Sequence, residues 1–509
     1  MAVKTPAKTD VLICGAGPVG LAMAAELTRY GLAVRIVEKN AQRTDKSKAL
    51  VVWSRTLELL NRTGCAEKFL STGMKSSAAN ILAGHEQIAR LTFDSAATPY
   101  PFALMIPQSE TERLLEEFLN SLGVQVERTV ELTGFTSSAT RVTSTLRHSD
   151  GREEILDTPW LIGCDGAHST VRKQLGMEFK GSTQPSDWML ADAHLTGVPH
   201  PEETSAYWHS DGVLVIFPIV PGRYRVIADL GVTDPHNLRP DPTLAEVQAV
   251  LDQRGPGGIT ISDPIWLATF HINERKVADY QRGRVFLAGD AAHIHSPAGG
   301  QGMNTGIQDA CNLAWKLALV SRDICTANPV LESYSPERSG VGDQVLKAAG
   351  RFTSIAIVHG EWKQALRNHL ASLLLGFAPF RKIAVNAAQE LSIGYPESPL
   401  NAHSKNHGSA QHGPAPHEGQ RAPVTAGEIP VGAGNTPRFA IFAEATAAAT
   451  KDFAALVAQY PNLLEPALRQ PFHAGGLWLV RPDGYVALST TARDWPDLED
   501  YLAKITRPA

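Results

Sequence analysis

The chain has 509 residues, 43% hydrophobic and 19% charged, with a net charge of −5 and aromatics at 7%. At about 100–200 residues per domain, that length predicts two to four domains with sizeable cores. The acidic balance, the lack of a long basic run and the few aromatics argue against nucleic-acid binding as the main function.

The first ten residues, MAVKTPAKTD, are polar and lead directly into a strand. No signal peptide is visible, and no apolar run nears the ~20 residues of a membrane span. The five cysteines, Cys14, Cys65, Cys164, Cys311 and Cys325, are scattered and never spaced as CxxC. That usage fits a reducing cytosol, so a soluble cytoplasmic protein is expected.

Val11–Cys14 reads as an apolar strand, Gly15–Gly20 (GAGPVG) as a glycine turn, Leu21–Tyr30 as a helix and Leu32–Val37 as a second strand. This is a βαβ unit with a crossover helix. Gly15 allows the tight turn, Gly17 lets a pyrophosphate approach the backbone, and Gly20 lets the helix pack on the strand. Glu38 follows Gly20 by 18 positions, at the end of the second strand, where it can accept hydrogen bonds from ribose hydroxyls. A carboxylate there disfavours a 2′-phosphate, so FAD or NAD fits better than NADP.

Arg55–Gly64 predicts a helix ended by Gly64, and SETE at Ser109–Glu112 predicts a capping box opening the next helix. Phe179 to Phe270 alternates and turns at Pro221–Gly222, as antiparallel strands do. A helix-dominated part runs to roughly Leu391. A connector rich in Gly, Pro, Ser, Asn and His follows. The last ~85 residues regain strands and helices, with a hairpin turning at Pro482–Asp483–Gly484.

Two further segments leave apolar strands. They are DGAHSTVR at Asp165–Arg172 and GDAAHIHSPAGGQGMNTGIQDA at Gly289–Ala310. With the glycine turn, they resemble the three fingerprints of the single-component FAD-dependent aromatic hydroxylases, over residues 1–390. The resemblance implies that Asp290 binds the ribityl chain and that the loop Pro297–Asn304, with Gly299, Gly300, Gly302 and Met303, passes the flavin ring. The helix beginning near Thr305 would point its N-terminus at the pyrimidine end, where reduced flavin is anionic; bare amides stabilise charge there by roughly 0.3–2 kcal/mol.

The resemblance also implies FAD contacts around Gly15, Gly17, Pro18, Val19, Gly20, Glu38, Lys39, Gln108, Arg113, Asp165 and Gly289. Lys48–Ala49 stand where relatives usually carry Arg-Ala, which keeps the charge but loses the planar fork. There is no second strand–GxGxxG–helix unit, which fits a protein that meets NADPH or NADH transiently. Asp165, Ser169 and Arg172 are implicated with both cofactors.

The expected fold class is α/β: a Rossmann-like FAD-binding domain (1–178 and 276–395), an inserted mixed or antiparallel sheet for substrate (179–275), a connector (396–419) and a thioredoxin-like C-terminal domain (420–509). That last part contains no cysteine, which excludes thiol redox chemistry. A structural or dimer-contact role is the expectation.

Trp53, Tyr207, His209, Phe217, Arg225, Phe270 and Pro297 are the substrate candidates, with Trp53 ranked first and Pro297 second. His293 and His295 read as loop packing or hydrogen-bonding groups. His403, His407, His412 and His417 read as residues of a solvated connector, and no metal is expected. The implied activity is NAD(P)H-dependent flavin reduction, then O2 activation as C4a-hydroperoxyflavin and oxygen transfer to a small aromatic, phenolic or polyketide-like substrate. No protein acid or base is marked for catalysis. The alternatives are Baeyer–Villiger insertion or epoxidation on the same scaffold, and a non-oxygenating flavoprotein dehydrogenase.

Overall fold

A six-stranded sheet brings the three fingerprints side by side. Its order is Gln281–Arg282, Val285–Leu287, Trp160–Gly163, Val11–Cys14, Val34–Glu38 and Glu127–Arg128. In this computed structural model, which describes residues 8–44, 47–232, 239–297, 299–356, 361–402 and 415–506, all but the first pairing are parallel. Val11 sits opposite both Trp160 and Val34, and Leu161 sits opposite Val285. The turns after three adjacent strands therefore open on one edge, where α/β sheets bind ligands.

Two helices lie across this sheet and meet through small residues. Pro18–Arg29 packs on Gly302–Ser321, which is buried from Met303 to Val320. The contact is close because a Cβ on Gly289 or Gly306 would stand 2.7 or 2.6 Å from a Val19 methyl. The expected capping box at Ser109 does not form. The helix Gln108–Ser121 starts one residue earlier behind Pro107, and the Ser109 amide donates to Ser47 Oγ instead. A capping box does open the helix Leu244–Arg254, through Thr243 and Glu246.

The second sheet has eight strands. Lys180–Thr196, Thr204–His209, Gly212–Val220, Arg223–Val232 and Thr260–Lys276 are joined by Ala78–Ala83, Glu86–Thr92 and His293–Ile294. It is antiparallel except where Thr204–His209 runs parallel to Ala78–Ala83. Leu244–Arg254 covers one face, packing Val247 and Leu251 on Met189, Tyr207, Leu214 and Val226. On the other face, Ala371 and Leu375 of the helix Glu361–Gly376 pack on Trp188 and Trp208.

The C-terminal part pairs Ala440–Ala443, Gly476–Val480 and Val486–Thr491 antiparallel, with helices Ala447–Gln459 and Trp495–Ile505. Parallel bridges join Phe439 to Leu464 and Phe442 to Arg469. Its apolar residues continue the core of the first sheet, with Phe439 edge-on to Trp315 at 5.6 Å. The ends of the connector are packed rather than solvated. Leu400 is buried, the Ala402 amide donates to Ala487 and the Gly419 amide to Val486. His403, His407 and His412 lie outside the described residues. Among the described residues no cluster of three metal-ligating side chains occurs.

Candidate active site

The three glycines of the first turn divide the work. A Cβ on Gly15 (φ +101°) would stand 2.3 Å from Cys164 O, and one on Gly20 would stand 1.9 Å from Gly15 O. Both are closed by packing. A Cβ on Gly17 would meet nothing within 4 Å. Gly17 is also the N-cap of Pro18–Arg29, with no side-chain cap and no acid in the first turn. An open, positively polarised helix start remains, fit for a pyrophosphate. Glu38 stands beside it, accepting from the Ala16 amide at 3.0 Å and from Asn40. Lys39 is exposed.

Asp165 follows the neighbouring strand. Its Oδ2 accepts from the amides of Thr170 (2.7 Å) and Val171 (3.2 Å), while Oδ1 is inaccessible to water and has no partner. An orphaned carboxylate oxygen next to the glycine turn suits a ligand hydroxyl. Ser169 and Arg172 are engaged within the protein. Ser169 caps its helix, and Arg172 donates to Ala167 O and Ala291 O while lying over Phe179. Arg172 thus ties the second fingerprint to the third.

Gly289 (φ +59°) opens the third turn. Asp290 is exposed. Its surroundings still push its pKa up, against the pull of His293 and Lys48; both hold for a carboxylate on the floor of a deep cleft. Beyond it, Pro297 and Gly299 are exposed. Trp53 Nε1 donates to Gly299 O at 2.8 Å, and the Trp53 amide donates to Asn304 Oδ1 at 2.9 Å. Asn304 Nδ2 donates to Val51 O and Gly300 O. Trp53, Gly299, Gly300 and Asn304 therefore form one unit that presents backbone to the cleft. The helix Gly302–Ser321 starts there with Gln301 at its cap and no side-chain acceptor on its first amides.

Gln108 Oε1 accepts from the Ala49 amide, and the Gln108 amide donates to Ala49 O. Lys48 is exposed. Arg113 pairs along its own helix with Glu110 (2.8 Å) and Glu117 (2.6 Å).

A buried network behind the loop escaped the sequence reading. Asp309 accepts from the Gly289 amide (2.9 Å), from His293 Nε2 (2.8 Å) and from Arg338 (2.6 Å). Burial alone would raise its pKa; Arg338 and His293 outweigh burial and hold it low. His293 stacks between Tyr280 and His295. Burial drives His295 down to about 4, so it is neutral at pH 7. Glu390 accepts from Thr305 Oγ1 and Gln308 Nε2, and burial pushes it up to about 8.

Asn304, Gln308, Asn312 and Lys316 recur every fourth residue along the buried helix and carry this polar stripe to its far end. There Lys316 and Asn312 meet Glu337, which also pairs with Arg481 at 2.7 Å. Lys316, the one cation in the helix Gly302–Ser321, is the sequence signal that a buried partner was needed.

Of the substrate candidates, Trp53 and Phe217 share one apolar cluster with Phe93, Val385 and Leu391. Phe217, Arg225, Asp192 and Trp266 stand opposite one another in a row across four strands. Arg225 is buried, paired with Asp192 at 2.7 Å and bonded to the carbonyls of Ser47 and Lys48. It anchors that loop. Phe270 belongs to the cluster of Trp188 and Trp208. Tyr207 points to the opposite face, into the core under Leu244–Arg254, and His209 sits at a strand turn beside Asp211. A cleft of about 560 Å³ between Arg62, Tyr100, Glu428 and Pro430 contains none of the predicted site residues.

Comparison with known proteins gives the family. Residues 8–349 match the family model described as FAD binding domain. The 6-methylpretetramide 4-monooxygenase of Streptomyces rimosus is 33% identical, over 94% of this chain and 90% of its own. Pentachlorophenol 4-monooxygenase of Sphingobium chlorophenolicum is 33% identical, over 70% of this chain and 66% of its own. The solved anhydrotetracycline hydroxylase from Streptomyces rimosus superposes with a TM-score of 0.79 at 29% identity, covering 99% of this chain and 100% of its own. The chain belongs to the FAD-dependent aromatic hydroxylase family and is a flavin-dependent monooxygenase, with FAD as its cofactor.

Proposed function

We propose that the enzyme hydroxylates a phenolic ring within a fused-ring, polyketide-like substrate, using NADPH or NADH and O2. The observation that carries this reading is the joint between Trp53 and the glycine loop. One indole fixes Gly299 through Nε1 and belongs to the apolar cluster of Phe217 and Phe93. A flat ring resting there would lie beside whatever the loop backbone holds. The tetracycline-type substrates named for two of the relatives above suit such a wall.

FAD, when bound, supplies reduction by NAD(P)H and transfer of one oxygen atom from O2. The protein's part is positional. Gly17 and the open start of Pro18–Arg29 take the pyrophosphate, Glu38 and Asp165 Oδ1 accept hydroxyls, and Asp290 faces the chain leading to the ring system. The first amides of Gly302–Ser321 face negative charge on the ring. Trp53, Phe217 and Pro297 exclude water on the substrate side. No side chain is assigned as a catalytic acid or base: His295 is neutral, and His293 is committed to Asp309.

We propose domain limits near residues 178, 275, 395 and 419, with Ala78–Thr92 contributed to the substrate sheet. We further propose a thioredoxin-like C-terminal unit. A strand and a helix, then two isolated residues bridged parallel to that strand, followed by an antiparallel hairpin and a helix, support that reading. All five cysteines are buried free thiols, which supports a cytoplasmic location.

The test is NAD(P)H oxidation and O2 uptake by the yellow holoenzyme, with and without a panel of fused-ring phenols. Stimulation by such a ring, and a product one oxygen atom heavier, is expected. No stimulation by any member, or oxygen inserted beside a ketone carbonyl, would overturn ring hydroxylation.

A further inference from the structure

Two consecutive helices, Glu361–Gly376 and Ala378–Ala388, leave a broad apolar face uncovered. Trp362, Leu366, Leu370, Leu373, Phe377 and Phe380 are each 46–69% exposed. The first five step along one helix and its end at three- and four-residue intervals, so they line one side. The opposite sides are already occupied. Ala371 and Leu375 pack on Trp188 and Trp208, Arg367 lies 4.3 Å over the Trp208 ring, and Val385 joins the Trp53 cluster. Soluble proteins rarely expose so many large apolar side chains in one patch unless the patch binds something.

Past Glu361 at its first position, the helix pair itself carries charges of one sign. From Trp362 to Gln389 the sequence carries Lys363, Arg381 and Lys382, besides Arg367 buried against Trp208, and no carboxylate, in a chain of net charge −5. Glu361 precedes the run, and Glu390 after it is buried. Lys363 and Lys382 are exposed. Apolar residues including a tryptophan, rimmed by cations, are what an interfacial helix offers to a bilayer with anionic headgroups. The helices are bent by 96° from one another, and their inner sides pack on the Trp188/Trp208 and Trp53 clusters, so the exposed apolar side chains are offered along a surface. A second copy of the chain fits less well, because symmetric pairing through this face would set cations against cations.

We propose that the bent helix pair Glu361–Gly376 and Ala378–Ala388 seats the enzyme on an anionic lipid surface, with its apolar face in the headgroup layer. The second helix, Ala378–Ala388, reaches the Trp53 cluster through Val385 and Ala388, so the docked pair and the proposed ring-binding wall share that element. Vesicle binding stands or falls whatever ring the enzyme oxidises.

The experiment is sedimentation of the FAD-loaded full chain with phosphatidylcholine vesicles, with and without 30 mol% phosphatidylglycerol, at low and high salt. Binding to the anionic vesicles is expected to exceed binding to the neutral ones by about tenfold or more and to weaken with salt. A blue shift of the fluorescence that Trp362→Phe removes should accompany it. Leu370→Asp/Phe380→Asp should abolish binding to both vesicle types, and Lys363→Glu/Lys382→Glu should abolish the preference for anionic lipid, with FAD content unchanged. Should a variant lose FAD, the lipid, salt and fluorescence readouts of the unmodified chain decide the matter. Equal recovery with and without vesicles overturns the proposal. So does a dimer in light scattering that Leu370→Asp/Phe380→Asp dissociates while vesicles go unbound.

Discussion

Around Gly15–Gly20, Asp165 and Gly289–Asn304 the proposed cofactor side is mainly backbone, whereas the proposed ring-binding wall is made of side chains: Trp53, Phe217 and their neighbours. Backbone lining demands glycine at fixed places, because a Cβ would strike something or block the ligand. Side-chain lining demands only that several apolar residues from separate strands face one way. The first requirement tolerates almost no substitution; the second is met by many sequences.

Gly15 and Gly17 sharpen that contrast with the largest effects. Gly15→Val drives a side chain into Cys164 O and forces a φ of +101° on a β-branched residue. It should abolish soluble, folded protein in an expression and thermal-melt comparison. Gly17→Val has open space in the fold, so the apoprotein should melt as the parent does while FAD affinity drops by about tenfold or more, about 1.4 kcal/mol. Equal damage by both in the melt would end the distinction between packed and ligand-facing glycines.

Arg481→Met probes how firmly the backbone wall is braced from behind. The substitution leaves Asp483 without its arginine and Glu337 with Lys316 as its one remaining cation among the described residues, all fully or nearly fully buried. Breaking such a network costs about 3–5 kcal/mol, which should appear as a matching loss in denaturant unfolding, with weaker FAD retention. Unchanged stability would mean that the C-terminal unit does not hold the buried helix in place.

Legibility followed the same division. The positions of the glycine turn, Glu38, Asp165 and the loop to Asn304 in the fold were legible because each lies in a contiguous motif at or just beyond the end of a strand. Tyr207 and Phe217 were not separable, since which face each takes depends on strand register: Tyr207 stands opposite Leu214, and Phe217 opposite Arg225. His293, Asp309 and Arg338 come together from separate segments, and no local spacing announces a triad that only folding assembles. The Ser109 capping box failed because Pro107 already starts the helix and Ser47 takes the serine amide.

Glu390 yields a pH test of the backbone wall's interior. Its pKa is about 8 in the fold, against about 4.3 in an unfolded chain. The fold keeps a proton that the unfolded chain releases, so stability falls as pH rises between those values. Glu390→Gln is neutral throughout and should flatten that decline in melts from pH 5 to 8. An unchanged slope would remove the neutral acid from behind Thr305 and Gln308.

The smallest effects separate the faces of the substrate sheet. Phe217→Ala should raise KM for a stimulating phenol several-fold with FAD binding intact. Tyr207→Phe, on the face beneath Leu244–Arg254, should leave KM unchanged. The reverse result would place the ring on the other face.

The most direct measurement is the fate of isotopic oxygen. With 18O2, NAD(P)H and a fused-ring phenol from the panel, the product should carry one 18O atom on an aromatic carbon, for one NAD(P)H and one O2 consumed. Label found only in water or hydrogen peroxide, with the phenol recovered unchanged, would contradict ring hydroxylation at this site.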